Sequence, residues 1–214
     1  MQLGTCNLQL PRVYPITDTQ ISGLSHYEQV KRLIDGGATF IQLRDKHAST
    51  RAFLEQAVEC VAYARLRGVR IVVNDRADIA LMADADGVHL GQCDMPPEAA
   101  RSLLGPKKVI GYSTHSVEQA TRAAVLGVNY IAIGPIFQTR TKQDVDPAVG
   151  LDGIPAVKSV LGEIPLVAIG GIDIENIRDV WNAGADSAAV ISGLLSDPSG
   201  IAEATRTLLN AASV

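Results

Sequence analysis

Short apolar runs alternate along this chain with longer stretches whose apolar residues return every three or four positions. The run Val13-Tyr14-Pro15-Ile16-Thr17 reads as a first strand ending at Asp18, although Pro15 is awkward inside a central strand. Ser25-His26-Tyr27-Glu28 has the form of a capping box and predicts a helix with Val30, Leu33 and Ile34 on one face, stopped at Gly36-Gly37. A buried strand, Thr39-Phe40-Ile41-Gln42-Leu43, follows at once.

The unit then recurs. Leu54, Ala57, Val58, Val61 and Ala62 predict the next helical face, which stops at Gly68 before the strand Arg70-Ile71-Val72-Val73. Ser116 and Gln119 are placed to cap another helix, ending at Gly127 before Tyr130-Ile131-Ala132-Ile133-Gly134. Asp173 is expected to cap a helix carrying Ile174, Ile177, Val180 and Trp181, with Gly184 as its stop before Ser187-Ala188-Ala189-Val190. Capped helix, glycine stop and short apolar strand together describe βα units on a parallel sheet. Strand candidates fall near residues 13, 40, 71, 87, 109, 130, 167 and 188. That number predicts an α/β single-domain (β/α)8 TIM barrel over residues 11–214, with residues 1–10 as a leader lacking strong pattern. A doubly wound open sheet fits less well, because no glycine-rich dinucleotide turn follows the first strand.

Composition narrows the function. The chain has 214 residues, 47% hydrophobic and 20% charged, with a net charge of −4. It offers no broad basic field, which argues against nucleic acid as a partner. No apolar run approaches membrane-spanning length. Cys6, Cys60 and Cys93 are an odd number without metal-type spacing, so reduced thiols and a cytoplasmic setting are expected. Oligomeric state, including a homo-oligomer, stays open.

In such a barrel the chemistry lies past the C-terminal strand ends, and those ends are polar here. Asp75 and Asp94 each follow a strand; on parallel neighbours they would meet on one rim and could share Mg2+, which completes its shell with water and phosphate oxygens. Taken singly, two such aspartates are ordinary turn residues. Arg44 and Lys46 supply positive charge for an anion, and Lys142 beside Thr139 and Thr141 resembles a second anion site. Gly170-Gly171 and Ser192-Gly193 stand where barrels often bind phosphate through backbone N–H groups. His89 is expected to be a satisfied core residue and His115 to lie nearer the rim. Cys93 has no evident His–Asn or His–Asp pairing to make it a nucleophile.

With these segments in hand, the chain resembles the thiamine phosphate synthase family from near the first strand to near residue 195. The motifs are Tyr14-Pro15-Ile16-Thr17-Asp18, Gln42-Leu43-Arg44-Asp45-Lys46, Val73-Asn74-Asp75-Arg76, His89-Leu90-Gly91-Gln92-Cys93-Asp94 and Ser113-Thr114-His115-Ser116. Gly134-Pro135-Ile136-Phe137 with Thr139, Thr141 and Lys142, and Ala168-Ile169-Gly170-Gly171-Ile172, complete the set. Their order and spacing make it specific. The resemblance implies a transferase joining hydroxymethylpyrimidine diphosphate to thiazole phosphate with release of pyrophosphate. It implies Asp75 and Asp94 as Mg2+ ligands. Gln42, Arg44, Lys46, Asn74, Ser113 and Lys142 would contact the pyrimidine or its diphosphate, with Arg44, Lys46, Ser113 and Lys142 serving catalysis. Thr139, Thr141, Gly171, Ile191 and Ser192 would hold the thiazole phosphate. The departure is Gln143-Asp144-Val145-Asp146-Pro147, more acidic than the family pattern, which bears on how the loop after Phe137 closes. A thiazole tautomerase of the same barrel, or a sensor binding a phosphorylated ligand, would not need this full set of cations and carboxylates.

The resemblance predicts that Lys142→Ala lowers turnover sharply and leaves folding intact. Wild-type turnover in that variant, with both substrates saturating, would remove Lys142 from the mechanism.

Overall fold

The computed structural model describes residues 8–138 and 147–212. Its strands are β1 (Val13–Thr17), β2 (Phe40–Leu43), β3 (Arg70–Asn74), β4 (Gly87–Leu90), β5 (Val109–Thr114), β6 (Tyr130–Ile133), β7 (Leu166–Ile169) and β8 (Ser187–Val190). They pair in sequence order, all parallel, and β8 pairs with β1 to close the barrel. Every strand expected from the sequence is present. The fold is a single-domain (β/α)8 barrel.

The two-residue period of the strands sorts their side chains into two cores. Tyr14, Ile16, Phe40, Val72, Val109, Tyr130, Ala132, Val167 and Ala189 fill the interior, together with Leu8 from ahead of β1. Ile41, Leu43, Ile71, Val73, Val88, Leu90, Ile110, Ile131 and Val190 belong to the larger core shared with the helices. Both faces are covered, which is why the strands read as continuous apolar runs. Pro15 is accommodated in β1 although no strand here is an edge. It pairs with Val190 of β8, and the ladder to β2 starts one residue later, at Ile16 and Gln42, as a residue without an N–H requires.

The helices are α1 (Thr19–Ser22), α2 (His26–Asp35), α3 (Thr50–Arg65), α4 (Ala77–Met82), α5 (Pro97–Leu104), α6 (Val117–Ala123), α7 (Gly153–Leu161), α8 (Ile177–Asn182), α9 (Ser192–Leu195) and α10 (Ile201–Ala211). At α2 the capping box is complete, with the Ser25 and Glu28 side chains each taking the other's backbone N–H. Ser116 caps α6 by accepting from the Gln119 N–H, whereas the Gln119 side chain reaches back one residue further, to the His115 N–H at 2.7 Å.

Two helical expectations are corrected. The buried face of α3 is Phe53, Ala57, Cys60, Val61 and Ala64, while Val58 is 45% exposed and Ala62 is also exposed. Alanine and valine fit either face, and the barrel surface selects the stripe containing Phe53. Asp173 does not cap a helix; its side chain accepts from the Glu175 N–H in a turn, and α8 begins only at Ile177, leaving Ile174 exposed. Of the expected leader, residues 1–7 lie outside the described residues, and Leu8 is buried in the barrel interior. No helix among the described residues is long and apolar enough to cross a membrane.

Strand spacing depends on one missing side chain. A Cβ at Gly87 would lie 2.0 Å from the Val109 carbonyl oxygen and 2.8 Å from its Cα. Gly87→Ala is therefore expected to destabilise the fold by about 3 kcal/mol, seen as a lower urea midpoint with an unchanged slope. An unchanged midpoint would show that β4 and β5 can separate freely.

Candidate active site

All eight strands end at the same rim, and among the described residues two cavities that open there concern the site. The first, of about 430 Å³, lies over β2 to β5 and includes Arg44, Lys46, Asn74, Asp75, Asp94 and Ser113 in its walls. Asp75 enters it through backbone constraint. The Asp75 N–H continues the ladder to the His89 carbonyl at 2.7 Å, and the Arg76 N–H turns back to the Asn74 carbonyl at 2.7 Å. This three-residue turn leaves Asp75 at a φ of 62°, a conformation costing a side-chain-bearing residue about 1 kcal/mol or more.

Asp94 comes from the loop after β4, where its Oδ2 accepts from the Gly91 N–H at 2.7 Å. Burial holds the Asp94 carboxyl above the usual carboxylate range; the Gly91 N–H opposes this, and the adjoining Asp75 carboxyl reinforces it. Lys46 Nζ is paired with Asp75 Oδ2. The structure thus brings together the two aspartates expected to share a cation, with an ammonium already beside them. Among the described residues no group of three or more His, Cys, Asp or Glu could hold a metal. A hard cation on Asp75 and Asp94 would draw its remaining oxygens from water or substrate, and this donor set suits Mg2+.

The loop carrying Arg44 and Lys46 is held from below. Arg44 pairs with Asp18 at the end of β1, and both side chains are largely buried. Asp45 accepts from the His47 and Ala48 N–H groups at 2.8 Å each, from Thr19 Oγ1 at 3.3 Å and from His26 Nε2 at 3.1 Å. Burial works against its charge, but these donors keep the Asp45 carboxyl below the usual range. His26 is fully buried; its Nδ1 lies 2.7 Å from Thr17 Oγ1. Burial lowers its pKa despite Asp45, so the neutral ring donates from Nε2 to Asp45 and accepts the Thr17 hydroxyl proton at Nδ1.

Other expected residues are placed as follows. Asn74 ends β3 at the cavity. Gln42 lies one interior layer lower, level with Val72, and donates through Nε2 to the Tyr14 hydroxyl at 2.9 Å. His89 is satisfied on both nitrogens, by Tyr130 Oη at 2.9 Å and Ser113 Oγ at 2.8 Å. His115 reaches the rim with Nδ1 2.6 Å from the Gly134 carbonyl. Cys93 is exposed beside the cavity with a free thiol, while burial pushes the Cys60 thiol up to about 12.

The second cavity, of about 570 Å³, opens over β7 and β8 between Gln138, Gly171, Asp173, Ser192, Gly193 and Asp197. Gly171 and Ser192 are brought together from different strands. The Asn176 side chain fixes the glycine turn, donating to the Gly171 carbonyl at 2.9 Å and accepting from the Asp173 N–H at 3.0 Å. Ile191 precedes α9 and packs on the interior core. Thr139, Thr141 and Lys142 lie outside the described residues. Sequence reasoning gave no role to Asp18, Asp45, His26, Tyr14 or Tyr130. Of these, Asp45 stands between Arg44 and Lys46 in the sequence, and that adjacency was the available signal.

A closed parallel barrel that gathers cations, adjoining carboxylates and a glycine–serine cleft at the C-terminal ends of its strands has the layout of a barrel enzyme. Residues 13–194 match the thiamine monophosphate synthase family. The chain is 48% identical over 185 residues to the thiamine-phosphate synthase of Chloroflexus aurantiacus, covering 86% of this chain and 85% of that protein. It is 45% identical over 184 residues to that of Syntrophomonas wolfei, covering 86% and 88%. The thiamine phosphate pyrophosphorylase structure from Pyrococcus furiosus superposes with a TM-score of 0.84 at 37% identity, over 93% of this chain and 94% of that one. The chain belongs to the thiamine monophosphate synthase family, and it is a transferase.

Because the folded pKa of His26 is depressed, its contribution to stability is present above about pH 6.5 and is lost as pH falls below that value. Asp45, also depressed, adds a second loss at lower pH, as its carboxylate protonates. The urea midpoint should therefore drop between pH 7.5 and 5.5 (~1 unit either side of a free histidine), and His26→Gln should flatten that drop. An equally steep drop in His26→Gln would assign the acid sensitivity elsewhere.

Proposed function

We propose that this chain condenses 4-amino-2-methyl-5-hydroxymethylpyrimidine diphosphate with 4-methyl-5-(2-phosphoethyl)thiazole, giving thiamine phosphate and pyrophosphate. The observation that carries the reading is the pair of cavities on one rim. One is lined with cations and carboxylates suited to a diphosphate, the other with glycine and serine suited to a single phosphate.

Arg44 and Lys46 bind the diphosphate and offset the charge that grows on it as the carbon–oxygen bond breaks. Ser113 adds a hydroxyl to the same group. Asp75 and Asp94 would hold Mg2+, which when bound supplies further charge neutralisation to the diphosphate. Gln42 and Asn74 line the deeper pyrimidine end. Gly171, Ile191 and Ser192, with Thr139 and Thr141, seat the thiazole phosphate so that the thiazole nitrogen faces the pyrimidine methylene. Lys142, which follows β6 in the sequence, would add a further cation to the diphosphate. The diphosphate departs first, leaving a pyrimidine-stabilised methylene cation that the thiazole nitrogen captures. No enzyme nucleophile is needed, and among the described residues Cys93 has no base hydrogen-bonded to it. Free thiols at Cys60 and Cys93 suit a cytoplasmic setting.

Single-turnover formation of thiamine phosphate and pyrophosphate, followed together with and without Mg2+, tests the reading. Both products should appear at equal rates and only with the metal. Asp94→Asn should slow them by about 100-fold while leaving the metal-free protein at least as stable, since one of two adjoining carboxylates is gone. A folded wild type that binds thiazole phosphate but forms no product would sink the synthase and leave a tautomerase or a sensor.

A further inference from the structure

Below the first cavity, four buried polar side chains run in line through the barrel interior to Ser113. Gln42 Nε2 donates to Tyr14 Oη at 2.9 Å, Tyr14 Oη lies 2.8 Å from Tyr130 Oη, and Tyr130 Oη lies 2.9 Å from His89 Nδ1. His89 Nε2 lies 2.8 Å from Ser113 Oγ, which borders the cavity. The residues come from β1, β2, β4, β5 and β6, so the barrel as a whole assembles the line. Space has been made for it. A Cβ at Gly111 would fall 2.1 Å from Tyr130 Cζ and 2.6 Å from His89 Nδ1, and the absent side chain lets the two rings stack at 19°.

The line has a direction. The Gln42 amide nitrogen has no lone pair to offer, so Tyr14 accepts from it. Each phenol carries one proton, and in a buried site a proton without an acceptor is costly. The Tyr14 proton therefore goes to Tyr130, and the Tyr130 proton goes to His89 Nδ1. That leaves the His89 proton on Nε2, donated to Ser113 Oγ. Burial holds both phenols well above the usual range, so the tyrosines keep their protons.

We infer that the Gln42–Tyr14–Tyr130–His89 line sets the polarity of the Ser113 hydroxyl, presenting its proton to the cavity as an obligate donor to an anionic oxygen of the bound diphosphate. Tyr14, Tyr130 and His89 are then positioning residues that act through Ser113. His89 is no general base, because one nitrogen holds its proton against Ser113 and the other accepts from Tyr130. The choice of a diphosphate oxygen rests on the condensation proposed above; the polarity of the line does not.

The test reads the histidine tautomer directly. Nitrogen-15 spectra of the full chain, which has four histidines, should show His89, assigned by its loss in His89→Asn, protonated on Nε2 alone at neutral pH. Tyr130→Phe should abolish this fixed tautomer and lower kcat by about tenfold, the size of one hydrogen bond to a charged group, with KM for the thiazole substrate unchanged. Wild-type His89 protonated on Nδ1 overturns the inference, and that spectrum decides even if Tyr130→Phe does not fold. A Tyr130→Phe protein keeping the wild-type tautomer overturns it too, whatever its activity. The expected spectra in a wild type that forms no thiamine phosphate would support the line and fault the condensation alone.

Discussion

Closure of a parallel ladder is the constraint from which the rest follows. With β8 bonded to β1 no strand has a free edge, and each must divide its side chains between a narrow interior and the helices outside. The interior cannot be filled by aliphatic residues alone without losing the polar floor that the rim needs. Tyr14, Phe40 and Tyr130 fill it with rings packed edge-on, and the two phenols carry hydrogen bonding upward through an otherwise apolar space. The same closure points all strand ends one way, so residues far apart in the chain converge on one face.

The fold was legible because its signals are local. Glycine stops, the Ser25–Glu28 box and short apolar runs each lie within a few residues, and together they specify every strand of the barrel. What they could not specify is which face of a helix meets the sheet. In α3, Val58 and Ala62 looked as apolar as Val61 and Ala64, and only the curvature of the barrel decides between them. The turn at Asp173 misled for a similar reason: an aspartate that accepts from an N–H two residues on has the composition of a cap without the helix.

The site was legible in part. Asp75, Asp94, Arg44 and Lys46 stood out as charges directly after apolar strands, and the fold brings them to one cavity. Gln42 was read as a substrate contact, but its side chain is also tied to Tyr14 one layer down. The pairing of Tyr14 with Tyr130 spans 116 positions of sequence and leaves no trace in local pattern, since a tyrosine in a strand is ordinary. Asp18 and Asp45 were visible as letters within motifs, yet only distances show that Asp18 holds Arg44 and that Asp45 ties its loop to His26 and Thr19.

If Arg44 binds the diphosphate as proposed, its pairing with Asp18 bears on the end of the reaction as much as on its start. A cradle of unopposed cations would grip free pyrophosphate more tightly than any ester of it, because the departing ion carries more charge. With one edge of the guanidinium already committed to a buried carboxylate, the cradle is directional and its net charge is tempered. In the condensation proposed above, the leaving group would then be steadied while it forms and not trapped once it has formed.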